Sequence, residues 1–356
     1  MKKNNNGIYI LISTIIFCVF GYYVTNNILV HLASRENIIK VEVDDQGIAA
    51  GVENVFDSVV SISVNDGDNS QPVGSGFVFS EDGYILTNYH VVKNNSKFGV
   101  ILSDGSNVSA EFVGSDEYFD IAVLKIKSSD VKKVAVIGNS DETRVGDTIF
   151  TVGTPVDIRY AGTVTRGIIS SKNRLLETSV NSETLDWIME VIQIDAAINN
   201  GNSGGPLCNV NGEVIGINTL KVSSGNVESI AFAIPIETAI KYANVLVSGD
   251  KIERPMLGIR MANVQKSSYL SYYGISLDPS ITSGVVVVES LEGGPGEKAG
   301  LKKGDVISKI GEVNISNIAQ FNYNLFNYKK GDKVTFEIIR NNEKIKVEVV
   351  LVNKEN

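Results

Sequence analysis

The chain has 356 residues, 43% apolar and 21% charged, with 7 prolines: a folded protein long enough for two domains and an extension. Its net charge of −9 at pH 7 argues against a general nucleic-acid binder, which presents a basic face. The 2 cysteines, Cys18 and Cys208, offer neither an intramolecular disulfide nor a metal-ligand set, and no metal or other cofactor is expected.

Met1-Lys2-Lys3 leads into an apolar run from Ile8 to Val24, which Ile28 to Val30 can extend. Residues 1–30 therefore read as an N-terminal membrane anchor, with lysines inside and the rest of the chain outside the cytoplasmic membrane. A cleaved signal peptide is the competing reading. It lacks small residues at the −3 and −1 positions, since Ala33 at −1 puts His31 at −3. Residues 31–48, with Glu42, Asp44 and Asp45, read as a solvated linker.

From residue 49 to 248 the texture is short β-type runs between Gly, Asn and Asp turns. They include Val59–Val64, Gly76–Phe79, Tyr84–Thr87, Ile121–Ile126, Thr148–Val152, Gly162–Ser170, Val191–Ile194 and Val214–Asn218. This predicts a barrel or sandwich, as one large β domain or two packed barrels. After a break at Ser248-Gly249-Asp250, residues 255–353 mix strands with a helix predicted over Asn317–Tyr328, a small α+β domain.

Within the β region, Asn199-Asn200-Gly201-Asn202-Ser203-Gly204-Gly205-Pro206-Leu207 is a turn built to expose one hydroxyl. The N–H groups of Gly201 and Ser203 can point at one spot, where a carbonyl oxygen would become an oxyanion. An activated serine needs a base, and His90 is the only histidine in this region. The base needs an orienting carboxylate. Asp120, at the mouth of the apolar strand Ile121–Ile126, is favoured over Asp195, which suits a structural role under the substrate pocket. The order His, Asp, Ser excludes the nucleophile elbow of α/β-hydrolases, where the histidine follows the serine, and matches the chymotrypsin-type order on two barrels.

Three ordered segments carry a family resemblance: Gly74-Ser75-Gly76-Phe77 with Thr87-Asn88-Tyr89-His90-Val91-Val92, then Asp120-Ile121-Ala122-Val123-Leu124, then Gly201 to Leu207. They resemble the HtrA (Deg) serine proteases, and Met256-Leu257-Gly258-Ile259 with Gly294 to Ile307 is similar to that family's PDZ domain. The resemblance implies a mainly β, chymotrypsin-like double β-barrel protease domain, then a PDZ domain, behind a transmembrane helix, as in DegS-like members. It implies a His90–Asp120–Ser203 triad and an oxyanion hole of Gly201 and Ser203 N–H groups. The substrate pocket would have its base near Ala197 and walls from Ile217 and Ile230; with no acid lining it, small aliphatic residues are preferred. Met256–Met261 would offer an open strand edge, where Met256, Leu257, Gly258 and Ile259 take an extended peptide with its terminal carboxylate on the N–H groups near Leu257 and Gly258, and Ile318, Phe321 and Leu325 form the other wall. Substrates would be misfolded or signalling proteins outside the cytoplasmic membrane, unfolded or membrane-associated, with C-terminal peptides at the PDZ domain regulating their cleavage, and the assembly a homotrimer. The loops Lys172–Trp187 and Lys221–Ser229 match regulatory loops in position, and Asn200 stands where many members carry proline. A non-catalytic chaperone or peptide-binding scaffold of the same fold is the alternative.

Overall fold

The central strands read as unbroken apolar runs because both of their faces are buried. Alternate residues fill a barrel interior and the seam between two barrels. The computed structural model describes residues 14–25, 45–66, 69–154, 158–179, 186–199, 201–221 and 230–353. In the N-terminal body a helix, α1, covers residues 14–25 and exposes Phe17, Phe20 and Tyr22. Among the described residues no helix is long and apolar enough to cross a membrane. The remainder of the expected anchor, and residues 31–44 of the expected linker, lie outside the described residues.

The second body opens with α2 (Asp45–Val55), which begins inside the stretch expected to be linker. Ile48, Val52 and Val55 recur at helical spacing and pack on the core between the barrels, so burial of that stripe overrides the polar flank. Barrel one follows with β1 (Val59–Asp66), β2 (Asn69–Val78), β3 (Tyr84–Thr87), the short helix α3 (Tyr89–Val92), β4 (Phe98–Ile101), β5 (Asn107–Asp116) and β6 (Ile121–Lys125). It closes in the order β1-β2-β3-β6-β5-β4.

Barrel two comprises β7 (Thr148–Gly153), β8 (Thr163–Thr178), β9 (Trp187–Ile194), β10 (Pro206–Asn209), β11 (Val214–Lys221) and β12 (Ala231–Pro235), and then α4 (Ile236–Val247). Its strand order, β7-β8-β9-β12-β11-β10, repeats that of barrel one. The alternation is visible in β6, where Ala122 and Leu124 enter the interior of barrel one while Ile121 and Val123 join the seam. Phe77 and Phe150 are fully buried in that seam, a burial worth about 1.5–3 kcal/mol for each.

The C-terminal domain contains β13 (Pro255–Met256), β14 (Ile259–Asn263), α5 (Ser267–Tyr272), β15 (Val285–Ser290), α6 (Pro295–Lys298), β16 (Val306–Ile310), β17 (Val313–Asn314), α7 (Ile318–Leu325), β18 (Lys333–Arg340), β19 (Glu343–Val350) and β20 (Val352–Asn353). Its main sheet runs β14-β15-β16-β18-β19. Val285 and Val287 face a core shared with Phe321 and Leu325 of α7, while Val286 and Val288 face Leu270 of α5.

Candidate active site

His90 lies in α3, on the connection between β3 and β4. Just ahead of that helix, the fully buried Asn88 donates from Nδ2 to the Asp120 carbonyl oxygen at 2.9 Å, which ties the histidine turn to the start of β6. Asp120 has φ +51°, a left-handed conformation that aspartate tolerates better than most residues and that concentrates at functional sites. Its buried carboxylate meets His90 Nδ1 at 3.0 Å (Oδ1) and 2.8 Å (Oδ2), and Oδ1 also accepts the His90 backbone N–H at 2.9 Å. Thr219 Oγ1, at the end of barrel two, donates to Oδ2 at 2.5 Å. With Nδ1–H engaged, the imidazole tautomer leaves Nε2 open to accept a proton.

Ser203 stands on the β9–β10 connection, and its hydroxyl donates to the Thr219 carbonyl oxygen at 3.2 Å. One threonine therefore touches both the serine and the aspartate. Thr219 carried no signal in the sequence, where it is one β-branched residue in an apolar strand. Gly201 and Gly204 have φ +104° and +83°, and a Cβ at Gly204 would fall 2.2 Å from the Ser75 carbonyl oxygen and 2.3 Å from Thr87 Oγ1. Only glycine fits there. Among the described residues the Ser203 N–H has no acceptor, so it is available to a substrate oxygen.

The other candidates are distributed as follows. Asp195 is exposed and its Oδ1 accepts the Ile168 N–H at 2.6 Å, so it supports β8 and makes no bond to His90. Ala197 is exposed, and its carbonyl accepts from Thr165 Oγ1 at 3.0 Å and from Asn202 Nδ2 at 3.5 Å. Ile230 is half-buried, whereas Ile217 is fully buried in the seam core. Asn200 lies outside the described residues, as do residues 180–185 and 222–229 of the expected regulatory loops.

The turn that delivers Asp120 is braced from several sides. Asp116 Oδ1 accepts the N–H groups of Tyr118 (3.0 Å) and Phe119 (2.9 Å), and its Oδ2 pairs with the Arg254 guanidinium. Phe119 stacks on Tyr242 of α4 at 4.0 Å, and burial beside Asp116 pushes the Tyr242 phenol up to about 12. Arg254 also lies 4.3 Å over the Tyr118 ring, which meets both Trp187 and Phe326 edge-on.

In the C-terminal domain β14 is an edge strand facing α7. The expected open edge from Met256 needs correction. Met256 pairs with Val352 in a two-stranded ribbon, Leu257 is buried, and Gly258 turns the chain at φ +66°, so the edge begins at Ile259. The Leu257 and Gly258 carbonyls accept from Gly296 (2.8 Å) and Leu291 (2.9 Å), while among the described residues their N–H groups have no acceptor. Phe321 and Leu325 belong to the domain core instead of the groove wall, which leaves the half-buried Ile318. α7 also touches the protease: Asn322 Nδ2 donates to the Asp186 carbonyl oxygen at 2.7 Å, and Asn317 Nδ2 to Glu177 Oε1 at 2.8 Å.

Residues 74–217 match the trypsin-like peptidase domain family and residues 255–351 the PDZ domain family. The chain is 41% identical over 287 residues to the serine protease Do-like HtrA of Lactococcus lactis subsp. cremoris (strain MG1363), covering 78% of this chain and 70% of that protein. To the serine protease Do-like HtrA of Bacillus subtilis (strain 168) it is 38% identical over 312 residues, 85% of this chain and 68% of that protein. The solved structure of the HtrA-type protease AlgW with decapeptide is 28% identical with a TM-score of 0.66, covering 87% of this chain and 99% of that one. A trypsin-like peptidase domain with a histidine–aspartate contact and a glycine-framed serine, followed by one PDZ domain, makes this chain a serine endopeptidase of the HtrA family.

Proposed function

We propose that His90, Asp120 and Ser203 form the catalytic triad, and that the enzyme cleaves unfolded or membrane-associated proteins after small aliphatic residues. The observation that carries this is the Asp120 carboxylate, bonded at once to His90 Nδ1 and to the threonine that receives the Ser203 hydroxyl. In the reaction Ser203 Oγ swings from the Thr219 carbonyl to His90 Nε2, which takes its proton as Oγ attacks the substrate carbonyl. The Gly201 and Ser203 N–H groups receive the oxyanion, and His90 then protonates the leaving amine. The small-residue preference rests on the expected lining of the pocket by Ala197 and Ile230, neither of them acidic. Digestion of an unfolded test protein by the full chain, followed by mass spectrometry of the cut sites, tests the reading. Cuts after lysine and arginine would overturn the specificity, and undiminished digestion by Ser203→Ala would overturn the nucleophile.

The PDZ groove regulates this activity, on the same reading. A peptide with a free apolar C-terminus adds as a strand beside β14, its carboxylate on the Leu257 and Gly258 N–H groups, and leans on α7. Because α7 also bonds Asp186 and Glu177, peptide binding has a mechanical route to the β8–β9 hairpin. Couplings of this kind are worth about 1–3 kcal/mol, or roughly 5–150-fold in activity. Stimulation by such a peptide, lost on C-terminal amidation, is the expected result; tight binding with unchanged turnover would leave the groove a substrate tether.

The membrane tether at residues 1–30, the extracytoplasmic placement and the homotrimer complete the proposal. They rest on the N-terminal lysines, the apolar run and the family resemblance. Protease added to intact cells stripped of any outer envelope should degrade the domain. A soluble form beginning near Ser34 would instead establish cleavage, and sedimentation of the detergent-solubilised chain as a monomer would exclude the trimer.

A further inference from the structure

Ser75 lies on β2 of barrel one, within a Gly-Ser-Gly segment, and is fully buried. Each of its polar groups has a bond. Its Oγ donates to the Gly201 carbonyl oxygen at 2.6 Å and accepts the Thr154 N–H at 3.0 Å. Its backbone N–H donates to the Ser203 carbonyl oxygen at 2.9 Å, and its own carbonyl accepts from Thr87 Oγ1 at 2.7 Å. We propose that Ser75 is a positioning residue for catalysis: from the opposite barrel it clamps the 201–202 and 203–204 peptide planes and so aims the oxyanion donors on the planes next to them, the Ser203 N–H between the two and the Gly201 N–H before the first. The inference rests on the reading above that those donors are the Gly201 and Ser203 N–H groups.

The physical reason lies in the glycines. A planar peptide moves as one unit, so fixing the Gly201 and Ser203 carbonyls fixes the 201–202 and 203–204 planes, which bracket the 202–203 plane that carries the Ser203 N–H. Gly201, at φ +104°, has little intrinsic preference among neighbouring conformations, and nothing in its own side chain restrains it. The loop's own turn bonds, from the Asn202 N–H to the Asn199 carbonyl at 3.0 Å and from the Gly205 N–H to the Asn202 carbonyl at 3.1 Å, supply part of the restraint, and Ser75 adds the part that comes from the other barrel. The Thr154 N–H occupies the acceptor side of the Ser75 hydroxyl and thereby directs its single proton toward Gly201. A buried serine that merely satisfied itself could bond any nearby carbonyl; this one bonds the carbonyl of the residue expected to donate to the oxyanion.

Ser75→Ala and Ser75→Cys in the full chain test the assignment, with a fluorogenic peptide carrying an aliphatic residue before the scissile bond. A peptide boronate, which adds covalently to the serine and places an oxygen in the oxyanion site, serves as second probe. Losing one oxyanion donor costs about 10²–10³ in turnover, so a loosened pair should cost roughly 10–100-fold in kcat. KM should stay within about twofold, boronate affinity should fall in step with kcat, and Ser75→Cys, a weak donor of similar shape, should lie between. Ser61→Ala is the control for packing. It removes a buried hydroxyl that bonds the Thr154 side chain without touching the nucleophile loop, so it should lower Tm and leave the boronate-to-substrate ratio alone. An unchanged kcat in Ser75→Ala would overturn the proposal. So would a loss that Ser61→Ala reproduces at equal Tm. If Ser75→Ala fails to fold, Ser75→Cys decides by the same ratio. Ser203→Ala read in parallel keeps the two claims apart: if it stays active the nucleophile is wrong, whereas a dead Ser203→Ala beside a fully active Ser75→Ala sinks only the clamp.

Discussion

His90 occupies the connection between the third and fourth strands of barrel one, and Ser203 the connection between the third and fourth strands of barrel two. The barrels share one strand order, and the same topological slot holds the base in one and the nucleophile in the other. What differs is how each slot is fixed. The histidine turn is a short helix whose backbone N–H is captured by Asp120 from its own barrel. The serine turn is a glycine loop held across the seam by Ser75, while Thr219 from barrel two reaches back to Asp120. Equal topology thus gives two equivalent platforms, and the chemistry comes from the bonds that cross between them.

The largest test of that view removes the groups themselves. Ser203→Ala or His90→Ala should each lower kcat by on the order of 10⁴–10⁶, and the double variant should be little worse, because the two act as one unit. Asp120→Asn should lose about 10⁴ while Tm falls little, through the wrong imidazole tautomer. Additive losses on a peptide substrate would show the two barrels acting independently and break the comparison.

The next test asks whether the glycines of the serine loop matter for space or merely for backbone freedom. Gly204→Ala puts a Cβ into the Ser75 carbonyl and Thr87 hydroxyl from barrel one, and should reduce kcat by about 10²–10³ as the loop shifts. Gly105→Ala, in the β4–β5 turn, has a similar φ of +82° but nothing within 4 Å. It should cost about 1–3 kcal/mol of stability and leave turnover unchanged. Thermal melts beside steady-state rates separate the two; equal effects would mean that strain alone governs the loop.

These contrasts explain what could be read from the sequence. Strands buried on both faces, such as Ile121–Lys125, leave an apolar run that needs no partner to be recognised. β5 escaped because Asn107–Asp116 mixes exposed, half-buried and polar positions and is a strand through its pairing with neighbours, and β4 because Phe98–Ile101 is buried but only four residues long and interrupted by Gly99. α2 escaped because Ile48, Val52 and Val55 make sense as a stripe only once the barrel seam exists to receive them. In the site, the scarcity of histidine and the glycine frame of Ser203 made two positions legible. Thr219 was not, and Ser75 stood out only as part of a motif and not for its bonds, since each acts across the fold, 99 residues from Asp120 and 126 from Gly201. Met256 was misread for a related reason, its partner Val352 lying at the far end of the domain.

Thr219→Val sharpens the comparison further. It keeps the β-branched shape but removes the hydroxyl that joins barrel two to the Asp120 carboxylate. A hydrogen bond to a charged group contributes about 1.5–3 kcal/mol, so kcat should fall roughly 10–100-fold with KM nearly constant. Thr219→Ser should restore most of it. Failure of serine to rescue would show that packing of the threonine methyl, and not the hydroxyl on Asp120, is what matters at this position.

The smallest effect concerns another contact between the barrels, the stack of Phe119 on Tyr242. Phe119 immediately precedes Asp120, and Tyr242 belongs to α4, which follows the last strand of barrel two. Burial, reinforced by Asp116, raises the Tyr242 phenol from 10.0 to about 12, with Arg254 opposing. The sign follows from which state loses the proton first. Below pH 10 the phenol is neutral in both states and the packed ring keeps its full contribution. Between about pH 10 and 12 the unfolded chain ionises while the folded one resists, so stability declines as pH rises and the contribution is gone once the folded phenol ionises. Tyr242→Phe keeps the ring and removes the titration, and should flatten that part of the Tm–pH curve without altering kcat at neutral pH. Absorbance near 295 nm, compared between the two proteins, reads the phenolate directly. A Tyr242 phenolate already formed at pH 10 would mean that the ring is open to solvent, and the Asp120 turn would then be held by Asp116 and Arg254 alone.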